Sequence, residues 1–189
     1  SLINSYSDRR NYFGLMRTSP DSIRKLAFKL AGTRFQMNTH AIGDNANRVV
    51  LNAYKDALYN YRDPRWRIEH AQVIHPDDYE FFNQKIIPSV QPTHATSDMY
   101  WLYDRVGKNR GKYSYAWGDL LKKSGTIAFG TDFPVEKINP IMTFYSAVFR
   151  KDAEGFPEEG FQIENGVNRA DALLGMTYFG AYANFEENE

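Results

Sequence analysis

The segment RFQMNTHAIGDNANRVVLNAYKDALYNYRDPRWRIEH, residues 34–70, decides how this chain folds. Arg34–His40 reads as a short buried strand ending on a polar side chain. After Gly43-Asp44, the residues Ala46, Val49, Val50, Ala53, Tyr54, Ala57 and Leu58 recur at helical spacing and mark a long amphipathic helix. Asp63-Pro64 breaks it. WRIEH, Trp66 to His70, then reads as a second strand. Two strands joined through a helix form a parallel unit, because a tight turn cannot join parallel neighbours. Both strands end on a histidine.

The alternation continues in both directions. Upstream, Ser19-Pro20 supplies an N-cap and a proline at the first helical position, followed by a stripe of Ile23, Leu26, Ala27 and Leu30. Gly32 stands where a left-handed cap is expected. Downstream, His75-Pro76-Asp77-Asp78 opens a helix carrying Tyr79 and Phe82, with His75 as its cap. Ile86 to Gln91 reads as a third strand in spite of Pro88, and residues 98–113 as a long connection. A helix from Tyr115 to Lys123 stops at Ser124-Gly125, before a fourth strand from Thr126 to Asp132. Asn139-Pro140 starts a helix with Ile141, Phe144, Tyr145 and Val148 on one side. A loop over 152–166 leads to helix from Asn168 to Asn184, broken near Gly175-Met176.

Four strand–helix units in a row predict an α/β fold with a parallel sheet. His40 to His70 is 30 residues, His70 to His94 is 24 and His94 to Asp132 is 38, each about one unit. All four residues fall at or just past the carboxyl end of a strand, the edge that carries chemistry in a (β/α)8 barrel. An open doubly wound sheet uses the same edge, but no GxGxxG or GxxxxGK[ST] phosphate loop is present, so the barrel is preferred.

Composition narrows the function. The 189 residues carry 23 basic and 23 acidic side chains, a net charge of zero that argues against nucleic acid as a partner. The basic run VGKNRGKYSYAW, Val106 to Trp117, reads as a solvated face. Zero cysteines exclude disulfides, thiolate nucleophiles and sulfur-built zinc sites, and leave the compartment open. No apolar run approaches the roughly 20 residues of a membrane span. His40, His70 and Asp132 offer imidazole and carboxylate donors suited to zinc, iron or manganese, with room left for a reactive water.

The words around these positions, THAIGDNAN (39–47), RIEHAQ (67–72), SVQPTHATSDM (89–99) and GTDFPVE (130–136), resemble in order and spacing the amidohydrolase superfamily, in its amidohydrolase family 3 branch. The resemblance implies metal ligands at His40 and His70, on strands 5 and 6. Asp132 matches the strand-8 aspartate that binds metal and serves as general base. It implies a divalent metal, zinc first, with iron or manganese open, and hydrolysis of carbon–nitrogen bonds in a small-molecule substrate such as an amide, N-acyl or N-formyl compound. His94 falls in the strand-7 loop as a substrate or oxyanion contact, with Asp98 and Trp101 at the pocket mouth. Glu69 is assigned at most a supporting place beside His70, and Asp44 the cap of the helix after Gly43.

Two family elements are missing. There is no HxH pair anywhere, and no strand-4 lysine or glutamate ahead of His40. Residues 1–189 therefore read as the C-terminal half of a (β/α)8 barrel, strands 5–8 with their helices, plus C-terminal helices. The opening SLINSYSDRR looks internal to a longer protein. The expectation is a metal-dependent enzyme in the full-length protein, little activity in this piece, and a homo-oligomer driven by open sheet edges. The alternative is a non-catalytic amidohydrolase-fold protein with an incomplete metal site. Compartment and substrate identity are not legible.

Overall fold

The computed structural model describes residues 1–189. Four strands, β1 (Asn38–Ala41), β2 (Trp66–His70), β3 (Ile86–Val90) and β4 (Ala128–Phe129), form one parallel sheet in the order β1-β2-β3-β4. Sequential order without a reversal means every crossover steps the same way, as in a singly wound sheet; a doubly wound one reverses. The register runs His40 opposite Glu69, Glu69 opposite Ser89 and Ser89 opposite Ala128. All four strands therefore finish on one edge.

Around the sheet lie α1 (Pro20–Ala31), α2 (Asp44–Ala57), α3 (Pro92–Asp98), α4 (Leu102–Gly111), α5 (Trp117–Ser124), α6 (Pro140–Phe149), α7 (Arg169–Met176) and α8 (Tyr178–Ala183), with 3₁₀ turns at Pro76–Phe81 and Ile163–Asn165. Helix α2 shows how the core forms. Its buried face, Val50, Leu51, Ala53, Tyr54 and Ala57, lies against β2, with the Tyr54 ring edge-on to Trp66 at 4.9 Å. Trp66 and Ile68 point the same way on β2 and are fully buried, as alternation along a strand requires. The Tyr54 hydroxyl donates to the Met37 carbonyl at 2.9 Å and lies 2.7 Å from the Thr39 hydroxyl, so its polar end is satisfied inside the core.

The opposite sheet face carries Arg67, Ile87 and Ala128, and α8 closes over its amino end. Ala183 packs on Ile87 and Ala128, and its carbonyl accepts from Gln36 at 2.7 Å and Arg67 at 2.9 Å.

Several elements differ from the sequence expectation. The first strand starts at Asn38 instead of Arg34, and β4 spans only Ala128–Phe129. The stretch 98–113 is helical across α4, broken at Gly107 with φ 76°. The helix expected after His75 is a 3₁₀ turn, although His75 does cap it, accepting from Asp77 N–H at 3.3 Å. Gly32 has φ −86° and is not left-handed. Helix α6 buries Thr143, Ser146 and Ala147 and turns Ile141 outward, because close helix packing admits only small side chains there. Pro88 is tolerated because its missing N–H faces the β4 side, one residue before the first β3–β4 pair.

Candidate metal centre

Each site residue is delivered by the end of a strand. His40 is the last but one residue of the edge strand β1 and is exposed, whereas His70 ends β2 and is buried. At His70 and Ala71 the backbone turns left-handed, with φ 76° and 45°. Such φ values cost a non-glycine residue about 1 kcal/mol. Ladder bonds hold them: Ala71 N–H donates to Ala41 at 3.1 Å and Val73 N–H to Ile42 at 2.8 Å. Asp132 is also left-handed, with φ 57°, so two candidate ligands sit on strained backbone just past a strand. His94 lies in helix α3, directly beyond β3, where a loop position was expected, and is buried.

The imidazoles form a chain whose proton positions follow from their partners. His70 Nδ1 lies 2.9 Å from Gln91 Oε1, a carbonyl oxygen, so Nδ1 carries the proton and Nε2 is the acceptor. His40 Nδ1 lies 2.7 Å from that Nε2 and donates to it. His94 Nδ1 donates to Glu136 Oε1 at 3.0 Å, and the Ser97 hydroxyl donates to the same oxygen at 2.6 Å. His94 Nε2 is then left facing Asp132 Oδ2 at 3.5 Å. Between the Glu136 and Asp132 carboxylates, this nitrogen is placed to hold either a proton or a cation.

One ligating atom each from His70, His94 and Asp132 lies within 4.8 Å of the others. Two donors on one tetrahedral ion, each at about 2.0–2.2 Å, stand roughly 3.3–3.5 Å apart. The 3.5 Å His94–Asp132 spacing matches that geometry. The 2.7 Å His40–His70 contact is shorter and is a hydrogen bond. Donor chemistry and spacing thus fit a divalent ion between His94 and Asp132 with His70 beside it, and His40 in contact with His70. Burial pulls the His70 pKa below its ordinary 6.5; the Gln91 bond opposes the shift, while the neighbouring His40 and His94 add to it. A low pKa keeps the imidazole neutral and able to ligate.

Three residues that support this centre escaped the sequence reading: Gln91, Ser97 and Glu136. All lie inside the quoted words, and Glu136 is brought back to His94 by a turn closed by Val135 N–H to Asp132 C=O at 2.8 Å. Asp98 is bonded by the Tyr115 hydroxyl, and burial raises its pKa. Trp101 lines a cleft with Tyr6, Arg9 and Tyr12. Glu69 is engaged by Arg67 at 3.3 Å. Asp44 is the first residue of α2, and Gly43 is its cap; Asp44 Oδ1 accepts from Asn45 N–H at 2.9 Å and Ile3 N–H at 2.8 Å. A Cβ on Gly43 would lie 2.2 Å from the Ser1 carbonyl oxygen, so this approach requires glycine.

The sequence model of the amidohydrolase family matches residues 2–189. The chain belongs to the amidohydrolase family. This amidohydrolase chain is 34% identical to LONG AFTER FAR-RED 3 of Arabidopsis thaliana over 184 residues, 95% of this chain and 31% of that protein. It is also 34% identical to YtcJ of Bacillus subtilis (strain 168) over 154 residues, 80% of this chain and 29% of that one. An uncharacterized metal-dependent hydrolase from Pyrococcus furiosus superposes with a TM-score of 0.84 at 27% identity, over 99% of this chain and 37% of its own. The amidohydrolase chain thus spans about a third of the length of these relatives.

Proposed function

We propose that residues 1–189 form the second half, strands 5–8, of the (β/α)8 catalytic domain of a divalent-metal-dependent hydrolase. Its reaction would be cleavage of a carbon–nitrogen bond in a small non-peptide amide, N-acyl or N-formyl substrate. The observation that carries the reading is His94 Nε2 facing Asp132 Oδ2 at 3.5 Å with His70 alongside. The sequential parallel order and the collection of all candidate ligands at the carboxyl edge support the barrel assignment.

In this reading His70, His94 and Asp132 hold the ion and His40 completes the histidine side; zinc is the first choice among ions these donors accept. A bound divalent ion lowers the pKa of a water toward neutrality and polarises the substrate carbonyl. The chain's residues do the rest. Gln91 and Glu136 hold the Nδ1 protons of His70 and His94, which leaves Nε2 as the donor atom of each; the His70 one, bonded to His40 Nδ1 in the metal-free chain, would exchange that bond for the ion. Asp132 accepts a proton from the attacking water and returns it to the departing amine. Asp98 serves the pocket wall.

Both outer edges of the sheet, at β1 and β4, are unpaired, which favours self-association of the isolated chain and leaves it with little or no turnover. Equilibrium dialysis against Zn²⁺ tests the centre: saturable uptake is expected, and loss of it in His94→Ala. Absence of uptake by the unaltered chain, together with metal-independent activity of the full-length protein, sinks the reading. Light scattering that shows a monomer at high concentration removes the association.

A further inference from the structure

The segment ahead of α1 lies along α4 and builds a second concave site with it. Tyr6, Asp8, Arg9, Tyr12, Trp101 and Arg105 line a cleft of about 280 Å³. None of them belongs to the His70–His94–Asp132 group. Its walls are fixed by the backbone. Ser7 N–H donates to the Arg105 carbonyl at 2.8 Å, and Tyr6 N–H to the Tyr12 carbonyl at 2.8 Å. Arg110 grips the same segment through the Asn4 carbonyl at 2.9 Å and the Ser5 carbonyl at 2.7 Å. Gly107 has φ +76°, and a Cβ there would meet Ser7 Oγ at 2.7 Å, so glycine is what lets the segment lie this close.

The chemistry inside is uneven in a way that selects a ligand. Arg105 is neutralised by Asp8 at 2.6 Å. Arg9 is stacked over the Tyr12 ring at 4.1 Å and takes part in no ion pair. The cleft therefore offers one planar cation outside any ion pair, one acid already engaged, and the aromatic surfaces of Tyr6 and Trp101, with the Tyr12 ring lying under Arg9. A polyanion would be repelled by Asp8 and find too few cations, whereas an aliphatic acid would leave the aromatic faces unused. We propose that this cleft binds small aryl carboxylates, with the ring on Trp101 and the carboxylate bridged by the Arg9 guanidinium fork. The assignment is independent of the hydrolase reading.

Trp101 makes the test direct, since it is 45% exposed while Trp66 and Trp117 are 2% and 0%. The Trp101 indole N–H resonance, identified by its loss in Trp101→Phe, is followed while the 189-residue chain is titrated at constant ionic strength. Benzoate, cyclohexanecarboxylate and benzamide are the probes. Benzoate should shift it saturably; cyclohexanecarboxylate should bind about threefold more weakly without stacking. Benzamide, lacking the charge, should bind about tenfold more weakly. Arg9→Gln should bring benzoate down to the benzamide level, with Arg9→Lys between the two, while the Trp66 and Trp117 resonances stay in place and report an intact fold. Equal titration by all three probes, a shift that never saturates, or an Arg9→Gln chain that binds benzoate normally overturns the proposal.

Discussion

At the amino end of the sheet, Arg65 is 7% exposed and each nitrogen of its guanidinium is matched; at the carboxyl end, His94 Nε2 faces the Asp132 carboxylate at 3.5 Å. Arg65 meets Asp63 through two bonds of 2.9 Å and Glu187 at 2.8 Å, and lies against the rings of Tyr182 and Phe185 at 3.7 and 4.2 Å. Burial works against its charge, yet the bonds to Asp63 and Glu187 outweigh burial and hold its pKa above the ordinary value. The carboxyl end holds three imidazoles within stacking distance and no arginine or lysine among its partners. One end is complete as it stands and fastens the C-terminal segment to the sheet. The other is the end at which we propose that a cation binds. The stabilising clamp and the proposed metal centre lie at opposite ends of the same strands.

Breaking the amino end should have the largest effect. Arg65→Met leaves Glu187 and Asp63 without their cation and should destabilise the chain by about 3 kcal/mol. At roughly 2–4 °C per kcal/mol for a chain of this size, the melting temperature should fall by about 6–12 °C, which calorimetry reads. If Arg65→Met melts like the unaltered chain, the clamp is not what holds α8.

The mirror experiment at the carboxyl end should go the other way. Asp132→Asn replaces the carboxylate with an amide whose N–H can donate to His94 Nε2. Metal-free stability should hold or rise by up to about 1 kcal/mol, while Zn²⁺ uptake in dialysis is lost. A metal-free Asp132→Asn chain that unfolds more readily in urea would show that His94 carries a proton for Asp132 already.

Proton linkage distinguishes the ends further. The His70 pKa is depressed in the folded state, so the unfolded chain binds more protons in the region below 6.5. Its contribution to stability is present above pH 6.5 and is lost as pH falls through the folded value. The urea midpoint of the metal-free chain should therefore fall below pH 6.5, and His70→Gln should flatten that part of the profile. An unchanged slope in His70→Gln would assign the effect to another group.

The smallest effect sets the scale. Lys25 and Asp21 form a 2.8 Å pair on the exposed face of α1, with side chains 77% and 71% exposed. Asp21→Ala should cost no more than about 0.5 kcal/mol in urea unfolding.

How far these contrasts were legible in the sequence differs by element. WRIEH was read with its observed bounds, because Trp66 and Ile68 alternate with charged residues and Pro64 marks the entry. Helix α2 was equally plain from its stripe. Helix α4 was not: its apolar positions are sparse, and Gly107 interrupts it, so local propensity spoke for a loop. Its helicity comes from packing, with Leu102 and Val106 buried in the core. At the site, residue types and strand-end positions were readable, and so were the words that resemble the family. The partners were not, since Gln91, Ser97 and Glu136 have no distinguishing residue type and gain their meaning only from what they touch.

By itself, then, the sequence determined the alternation of strand and helix, the parallel sheet, the family, and the placing of His40, His70, His94 and Asp132 at strand ends. Those features depend on residues near one another in the chain, through periodicity, caps and breakers. Tertiary structure alone decided that His94 joins His70 and Asp132, that Trp101 belongs to a separate cleft, and that Arg65 anchors a helix more than 100 residues away in the chain. Contacts between distant residues follow from how the elements pack, and side-chain hydrogen bonds form only where packing has already brought donor and acceptor together.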